Sequence, residues 1–121
     1  MNQYYRSEDI DRDAFLAAVE RDESLPLREA MISAAFHIDD WRWLQGQYVE
    51  LLQHDDPWVR KVAATCLAHV ARIHRHLDVA VVRPLIEVLL DDPDTRGHAE
   101  DAIEDIREAV PADAAADDAT P

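Results

Sequence analysis

Carboxylates are the most abundant chemically active side chains in this sequence, and several come in adjacent pairs. Asp55-Asp56 and Asp91-Asp92 each stand directly before a proline, and Asp94 follows the second pair. A further acidic cluster lies near the end of the chain, at Glu100, Asp101, Glu104, Asp105 and Glu108. Grouped carboxylates can bind a metal ion, transfer protons or attract a positively charged protein.

Metal binding and acid–base catalysis both need more than these carboxylates provide. No His or Cys stands at ligand spacing from the last acidic cluster, and carboxylates exposed on one helix face lack the pocket that shifts a pKa. His74 and His76 lie two residues apart, but the neighbouring Arg72 and Arg75 disfavour a bound cation. The sequence contains no nucleophile motif, phosphate-binding loop or Cys pair. We therefore expect no enzyme activity, no metal and no cofactor.

The remaining chemistry is electrostatic. The chain has 26 acidic and 12 basic residues, which gives a formal net charge of −14. Such a surface repels nucleic-acid phosphates and anionic membranes, whereas it attracts basic proteins and speeds their encounter. On charge alone, an acidic surface that only keeps the protein soluble is an equally good interpretation.

Six helices are predicted to position these groups. Pro57 cannot continue a helix but suits the first turn of one, and a stripe of small and apolar residues follows it at three- and four-residue spacing. Its members are Val59, Val62, Ala63, Cys66, Leu67 and Val70. The predicted helices cover about residues 9–21, 25–37, 41–53, 57–73, 79–90 and 95–110.

The same helical hairpin occurs three times. An offset of 32 residues aligns Leu27-Arg28 with Val59-Arg60, and an offset of 36 aligns Val59-Arg60 with Thr95-Arg96. The second offset also superposes the Asp-Asp-Pro sequences at residues 55–57 and 91–93. A period in this range, with one hairpin in each unit, is typical of a helical solenoid.

The repeated unit resembles the HEAT repeat in its leucine pair, its Asp-Asp-Pro, its Val-Arg and the small residues that follow at helical spacing. The resemblance extends over about residues 10–108. It implies an all-α fold, a short right-handed α-solenoid of about three HEAT-like helical hairpins. It also implies that Arg28, Arg60 and Arg96 brace neighbouring repeats.

A length of 121 residues suits one domain, which we place at residues 1–110, followed by a disordered acidic tail at 111–121. No segment has the apolar length of a membrane span, and the first residues lack the pattern of an export signal. Cys66 is expected to be buried and unpaired. Together, these three features predict a cytoplasmic protein. Gly46 weakens the third helix, which suggests that a neighbouring side chain packs closely there.

Stacked hairpins place equivalent turns at one edge, so the repeated acidic residues are expected to form a row. Helix capping explains one carboxylate in each turn, but it explains the second less well. Trp58 is expected to be exposed as an interface anchor, with partial burial against the adjacent unit as the alternative. The residues predicted to bind a basic partner are Asp55, Asp56, Trp58, Asp91, Asp92, Asp94, Glu100, Asp101, Glu104 and Asp105.

In size, charge and lack of catalytic motifs the chain resembles the small helical-repeat immunity proteins of bacterial toxin systems, including those of contact-dependent growth inhibition. The resemblance implies a protein that binds a basic toxin domain, such as a nuclease, and occludes its active site with an acidic surface. The alternative is a general HEAT-repeat adaptor or assembly subunit. HEAT-repeat enzymes form a third class, but they are longer arrays, and a DNA glycosylase is expected to be basic.

Overall fold

A computed structural model of the chain describes residues 10–111. These residues form six α-helices, and no β-strand occurs among them. A short 3₁₀ helix, Val88–Asp91, extends the fifth α-helix. The helices are α1 (Arg12–Arg21), α2 (Ser24–His37), α3 (Trp41–Leu51), α4 (Pro57–His74), α5 (Val79–Glu87) and α6 (Arg96–Ala109). The predicted all-α helical-repeat fold is confirmed, whereas the predicted tail lies outside the described residues apart from Pro111.

Helix ends follow from local capping. The first helix begins at Arg12 and not at residue 9, because the Asp11 carboxylate accepts a hydrogen bond of 2.8 Å from the backbone N–H of Ala14. Asp22 and Arg75 end α1 and α4 in the left-handed conformation, with φ of 56° and 59°.

The six helices pair as three hairpins, α1 with α2, α3 with α4 and α5 with α6. The second helices of the hairpins form one layer, in which α4 packs between α2 and α6. Buried alanines let these helix backbones approach each other closely. They are Ala34, Ala35, Ala63, Ala64, Ala68, Ala71, Ala99 and Ala102.

One continuous hydrophobic core runs through the three hairpins. Cys66 is fully buried, as predicted, and burial raises the pKa of its thiol to about 12. Tyr48 is also fully buried, and its hydroxyl donates a hydrogen bond of 2.7 Å to the carbonyl of Met31. That bond ties α3 to α2 and satisfies a polar group inside the core.

Gly46 does not have the close neighbour that its position in α3 suggested. No atom of another element lies within 4 Å of the place a Cβ would take, so the glycine faces open space. Among residues 10–111, no helix combines the length and apolar character that crossing a bilayer requires.

Candidate protein-binding surface

The turns of the first two hairpins meet through paired side chains. The Ser24 hydroxyl donates to Asp56 Oδ2 at 2.6 Å, and His54 Nε2 lies 2.6 Å from Asp22 Oδ1. His54 Nδ1 accepts from the backbone N–H of Asp56 at 2.9 Å, so Nε2 carries the proton and donates to Asp22. The predicted alignment of these two turns is therefore present in the structure.

The second and third hairpins are joined in the same way. Arg60 lies 3.7 Å from Asp92, and Lys61 lies 3.6 Å from Asp94. Arg60 also donates to the carbonyl of His54 at 2.6 Å, which holds its own turn in place. This arginine braces neighbouring hairpins, as the resemblance implied.

The two members of each aspartate pair have different roles. Asp56 is the N-cap of α4 and accepts a hydrogen bond from Ser24, while Asp55 is exposed. Likewise, Asp92 faces Arg60, while Asp91 is exposed. Within residues 10–111 neither Asp55 nor Asp91 takes part in an ion pair. The doubling thus combines one carboxylate for the fold with one that faces solvent.

The carboxylates of α6 divide similarly. Asp105 pairs with Arg72 of α4 at 3.0 Å, and Glu104 pairs with Arg107 at 2.9 Å. Glu100 and Asp101 are exposed and have no cationic partner among the described residues. The side of α6 that faces solvent therefore keeps an uncompensated negative charge.

Trp58 is 50% exposed, in agreement with its predicted exposure. Its ring is not surrounded by carboxylates, because Lys61 Nζ lies 4.1 Å from the ring centroid and the Arg28 guanidinium carbon 5.3 Å from it. His98 of α6 meets the ring edge at 6.3 Å. Two cations hold the indole in place and leave part of it open to a partner.

Helix spacing and cross-helix contacts place Trp58 on a broad surface made by α2, α4 and α6. We call this surface the second-helix face. The Phe36 ring of α2 lies 5.0 Å from the His69 ring of α4, and the Arg72–Asp105 pair links α4 to α6. The face contains Ile32 and Phe36 from α2, Trp58, Val62, Thr65, His69 and Ile73 from α4, and His98, Asp101, Asp105 and Glu108 from α6.

The pKa values of Asp56, at a hairpin turn, and of His69, on the second-helix face, depart from their usual range. Hydrogen bonds from the Ser24 hydroxyl and the Trp58 N–H lower the pKa of Asp56. Partial burial lowers the pKa of His69, and Arg72 lowers it further, while the Asp105 carboxylate opposes both effects.

The predicted site residues therefore fall into two neighbouring groups, at the hairpin turns and on α6. None of them lines the shallow apolar groove between α5 and α6 at the outer end of the stack, whose volume is about 50 Å³. Its lining residues are Val79, Arg83, Ile103, Ile106, Arg107 and Val110. In the part of the chain that the structure describes, His, Cys, Asp and Glu side chains form no cluster suited to a metal ion.

The sequence reasoning missed the exposed apolar side chains of the second-helix face. Ile32, Phe36 and Ile73 are 41%, 53% and 43% exposed. A signal was present, because Ile32 and Phe36 are one helical turn apart and fall outside the inward stripe of α2.

Comparison with known proteins identifies the central hairpin. Residues 44–74 match the HEAT repeat family. The match covers most of α3 and all of α4, including the turn in which Asp56 and Arg60 join the hairpins. HEAT repeats mediate protein–protein interaction, and this is the function that the match indicates. Comparisons with curated proteins and with solved structures gave no match.

Proposed function

We propose that this chain is an immunity protein that binds a basic bacterial toxin domain, such as a nuclease, and blocks its active site. One observation carries the proposal: carboxylates at the hairpin turns and on α6 face solvent without cationic partners in residues 10–111. The clearest cases are Asp55, Asp91, Glu100 and Asp101. The HEAT repeat match supports the coarser function of protein–protein interaction.

Electrostatic cost supports a role for these groups beyond solubility. Glu100, Glu104 and Glu108 follow one another at four-residue spacing on α6, so like charges stand above one another, and Arg107 offsets only the charge of Glu104. Each such pair destabilises a helix by about 0.2–0.5 kcal/mol. Docking a cationic surface removes this repulsion, so the same carboxylates favour the complex over the free protein.

The proposed mechanism needs no chemical step. The acidic surface attracts the basic cleft of the toxin from beyond contact distance, although salt limits the range to about 8 Å at physiological ionic strength. Once docked, the hairpins fill the cleft in which the toxin would bind its phosphate-bearing substrate. In this proposal the complex has one-to-one stoichiometry and forms in the cytoplasm of the bacterium that makes both proteins.

The decisive experiment pairs the chain with the C-terminal domain of the toxin encoded beside its gene. Co-expression of the chain should restore growth to cells that make the domain, and the purified proteins should associate at a rate that falls as salt rises. Reversing charge with Asp91→Lys and Glu100→Lys should slow association about tenfold. Glu20→Lys, a matched reversal at an exposed position of α1, should change it much less.

A general adaptor or assembly subunit is the second candidate, because the HEAT repeat match supports interaction without naming the partner. Growth rescue separates the two functions. An immunity protein restores growth, whereas an adaptor binds its partner without protecting the cell. Failure of rescue by a well-expressed chain would overturn the immunity proposal.

A further inference from the structure

The second-helix face has an apolar side and an acidic side. On α2 and α4, Ile32, Phe36 and Ile73 expose between 41% and 53% of their surface. On α6, Asp101 and Glu108 are exposed. Apolar side chains that share one surface mark an interaction site more often than scattered ones do.

Contacts within the protein show that these two sides belong to one continuous surface. Phe36 touches His69 of α4 at 5.0 Å between ring centroids, and Arg72 of the same helix binds Asp105 of α6 at 3.0 Å. The axes of packed helices are about 8–10 Å apart, so the acidic row lies roughly two helix spacings from the row on α2.

We propose that the second-helix face binds an amphipathic α-helix of the partner protein. The apolar stripe of that helix packs on Ile32, Phe36 and Ile73, and an adjacent row of Lys or Arg reaches Asp101 and Glu108. The inference rests on the proposed function in one respect, the cationic character of the partner.

The geometry favours a helix over an extended strand. A helix that lies over α4 is about one helix spacing from α2 and one from α6, and it can carry an apolar stripe beside a basic one. A strand points successive side chains to opposite faces, so its apolar and basic rows would face apart. On α6, Asp101, Asp105 and Glu108 recur about once per helical turn, which matches basic residues at the same spacing on a helix alongside.

Charge decides between possible occupants of this face. A second copy of the chain would carry the same net charge of −14, so repulsion between the two copies opposes self-association. A basic helix gains from the same field. The apolar contacts then select helices that carry the two stripes side by side.

The test uses a labelled model peptide of leucine and lysine, about 18 residues long, with its leucines on one helical face. Its affinity for the full chain is compared with that of a permuted peptide of the same composition without a leucine face. We expect the facially segregated peptide to bind about tenfold more tightly, with NMR amide shifts centred on Phe36, His69 and Asp101. Sedimentation of the chain alone measures self-association.

Substitutions separate the two sides of the face. The double variant Ile32→Ser, Phe36→Ser should lower the affinity for the segregated peptide at least fivefold. The double variant Asp101→Lys, Glu108→Lys should lower it to the same extent. Val81→Ser with Val88→Ser is the matched control, because these valines of the α5 region are 57% and 64% exposed and lie off the face. The control should leave affinity unchanged. Circular dichroism verifies that all three double variants stay folded.

Three results would overturn the inference. They are equal binding of the two peptides, loss of binding only in the charge variant, and self-association that the Ile32→Ser and Phe36→Ser variant abolishes. Each of them leaves the toxin experiment unaffected. Conversely, if the chain binds the segregated peptide as expected but does not restore growth, the proposed function is rejected and the docking surface is still supported.

Discussion

Ser24, the first residue of α2, donates its hydroxyl hydrogen to Asp56, the N-cap of α4, across a distance of 2.6 Å. The same carboxylate accepts from the backbone N–H of Trp58 at 2.9 Å. One aspartate thus begins its own helix and fastens the preceding hairpin. These two hydrogen bonds are also the main reason that the pKa of Asp56 is lowered.

Ser24→Ala should raise the pKa of Asp56 toward its unfolded value, lower the stability at neutral pH and make stability less dependent on pH in the acid range. A carboxyl group whose pKa is lower in the folded than in the unfolded state stabilises the protein above its unfolded pKa, here 3.8. That stabilisation is lost as pH falls through the folded pKa. Without the serine hydroxyl the folded and unfolded pKa values lie closer together, so the variant should lose less stability than the parent protein as pH falls. NMR titration of the Asp56 side chain and thermal melts between about pH 2 and 6 measure both effects. An unchanged Asp56 titration would contradict the assignment.

Gln45→Ala should loosen the joint between the second and third hairpins. Gln45 is 9% exposed, its Nε2 donates to Asp78 Oδ2 at 3.0 Å, and its Oε1 accepts from the backbone N–H of Asp78 at 2.8 Å. Losing these bonds should lower the free energy of unfolding by about 1–3 kcal/mol, as measured by urea denaturation. Amide exchange at Asp78 should accelerate. Gln47→Ala, a half-buried position in the same helix, is the control.

Gly46→Ala should stabilise the protein. The position lies inside α3, faces open space and has no positive φ, so alanine fits without strain. Alanine has a higher helix propensity than glycine and reduces the conformational entropy of the unfolded chain. The two effects together should raise the free energy of unfolding by about 0.5–1 kcal/mol. Thermal denaturation should show a higher midpoint. Gly97→Ala is the comparison variant. This glycine also faces open space, but it lies in the first turn of α6, where the gain in stability should be smaller.

Ala64→Leu should destabilise the layer of second helices. Ala64 is completely buried in α4, which packs against both α2 and α6, so a larger side chain must push these helices apart. Overpacking of this kind costs about 1–3 kcal/mol. Ala17→Leu, on the exposed side of α1, should change the unfolding free energy by less than about 0.5 kcal/mol. Equal effects of the two changes would argue against close packing of α4.

His69→Gln should reduce the loss of stability on mild acidification. The pKa of His69 is lowered from 6.5 by burial and by Arg72, so the unfolded chain binds more protons than the folded protein near that pH. Stability therefore falls as pH drops from the unfolded value through the folded one, and removal of the imidazole removes that contribution. Urea denaturation at about pH 7.5 and 5.5 measures the difference. His76→Gln serves as an exposed control.

Periodicity was sufficient to predict the helical hairpins and their order. Pro57, the spacing of Val59 and Cys66, and the repeated Asp-Asp-Pro are local signals, and local capping made the resulting helix positions nearly correct. The end of α5 was less accurate, because the α-helix ends at Glu87, three residues before the predicted end, and the chain then passes into a 3₁₀ helix at Val88.

The direction of each acidic side chain could not be predicted in the same way. An alignment of repeats brings Asp55-Asp56 beside the equivalent turns, but the inward member is selected by partners on another hairpin, such as Ser24. The neighbours of Trp58 could be predicted only in part. Lys61 lies one turn further along the same helix and offered a sequence signal, whereas Arg28 reaches the ring only through hairpin packing.

Within each aspartate pair, one residue joins neighbouring hairpins and the other faces solvent. Asp56 and Asp92 are held by joints between hairpins, so replacing either one disturbs the scaffold. Their neighbours Asp55 and Asp91 are exposed and form no such contact among the described residues, so replacing either one should leave the packing of the hairpins unchanged. The charge of the hairpin turns can therefore change one outer residue at a time, while the contacts that hold the three hairpins together stay the same.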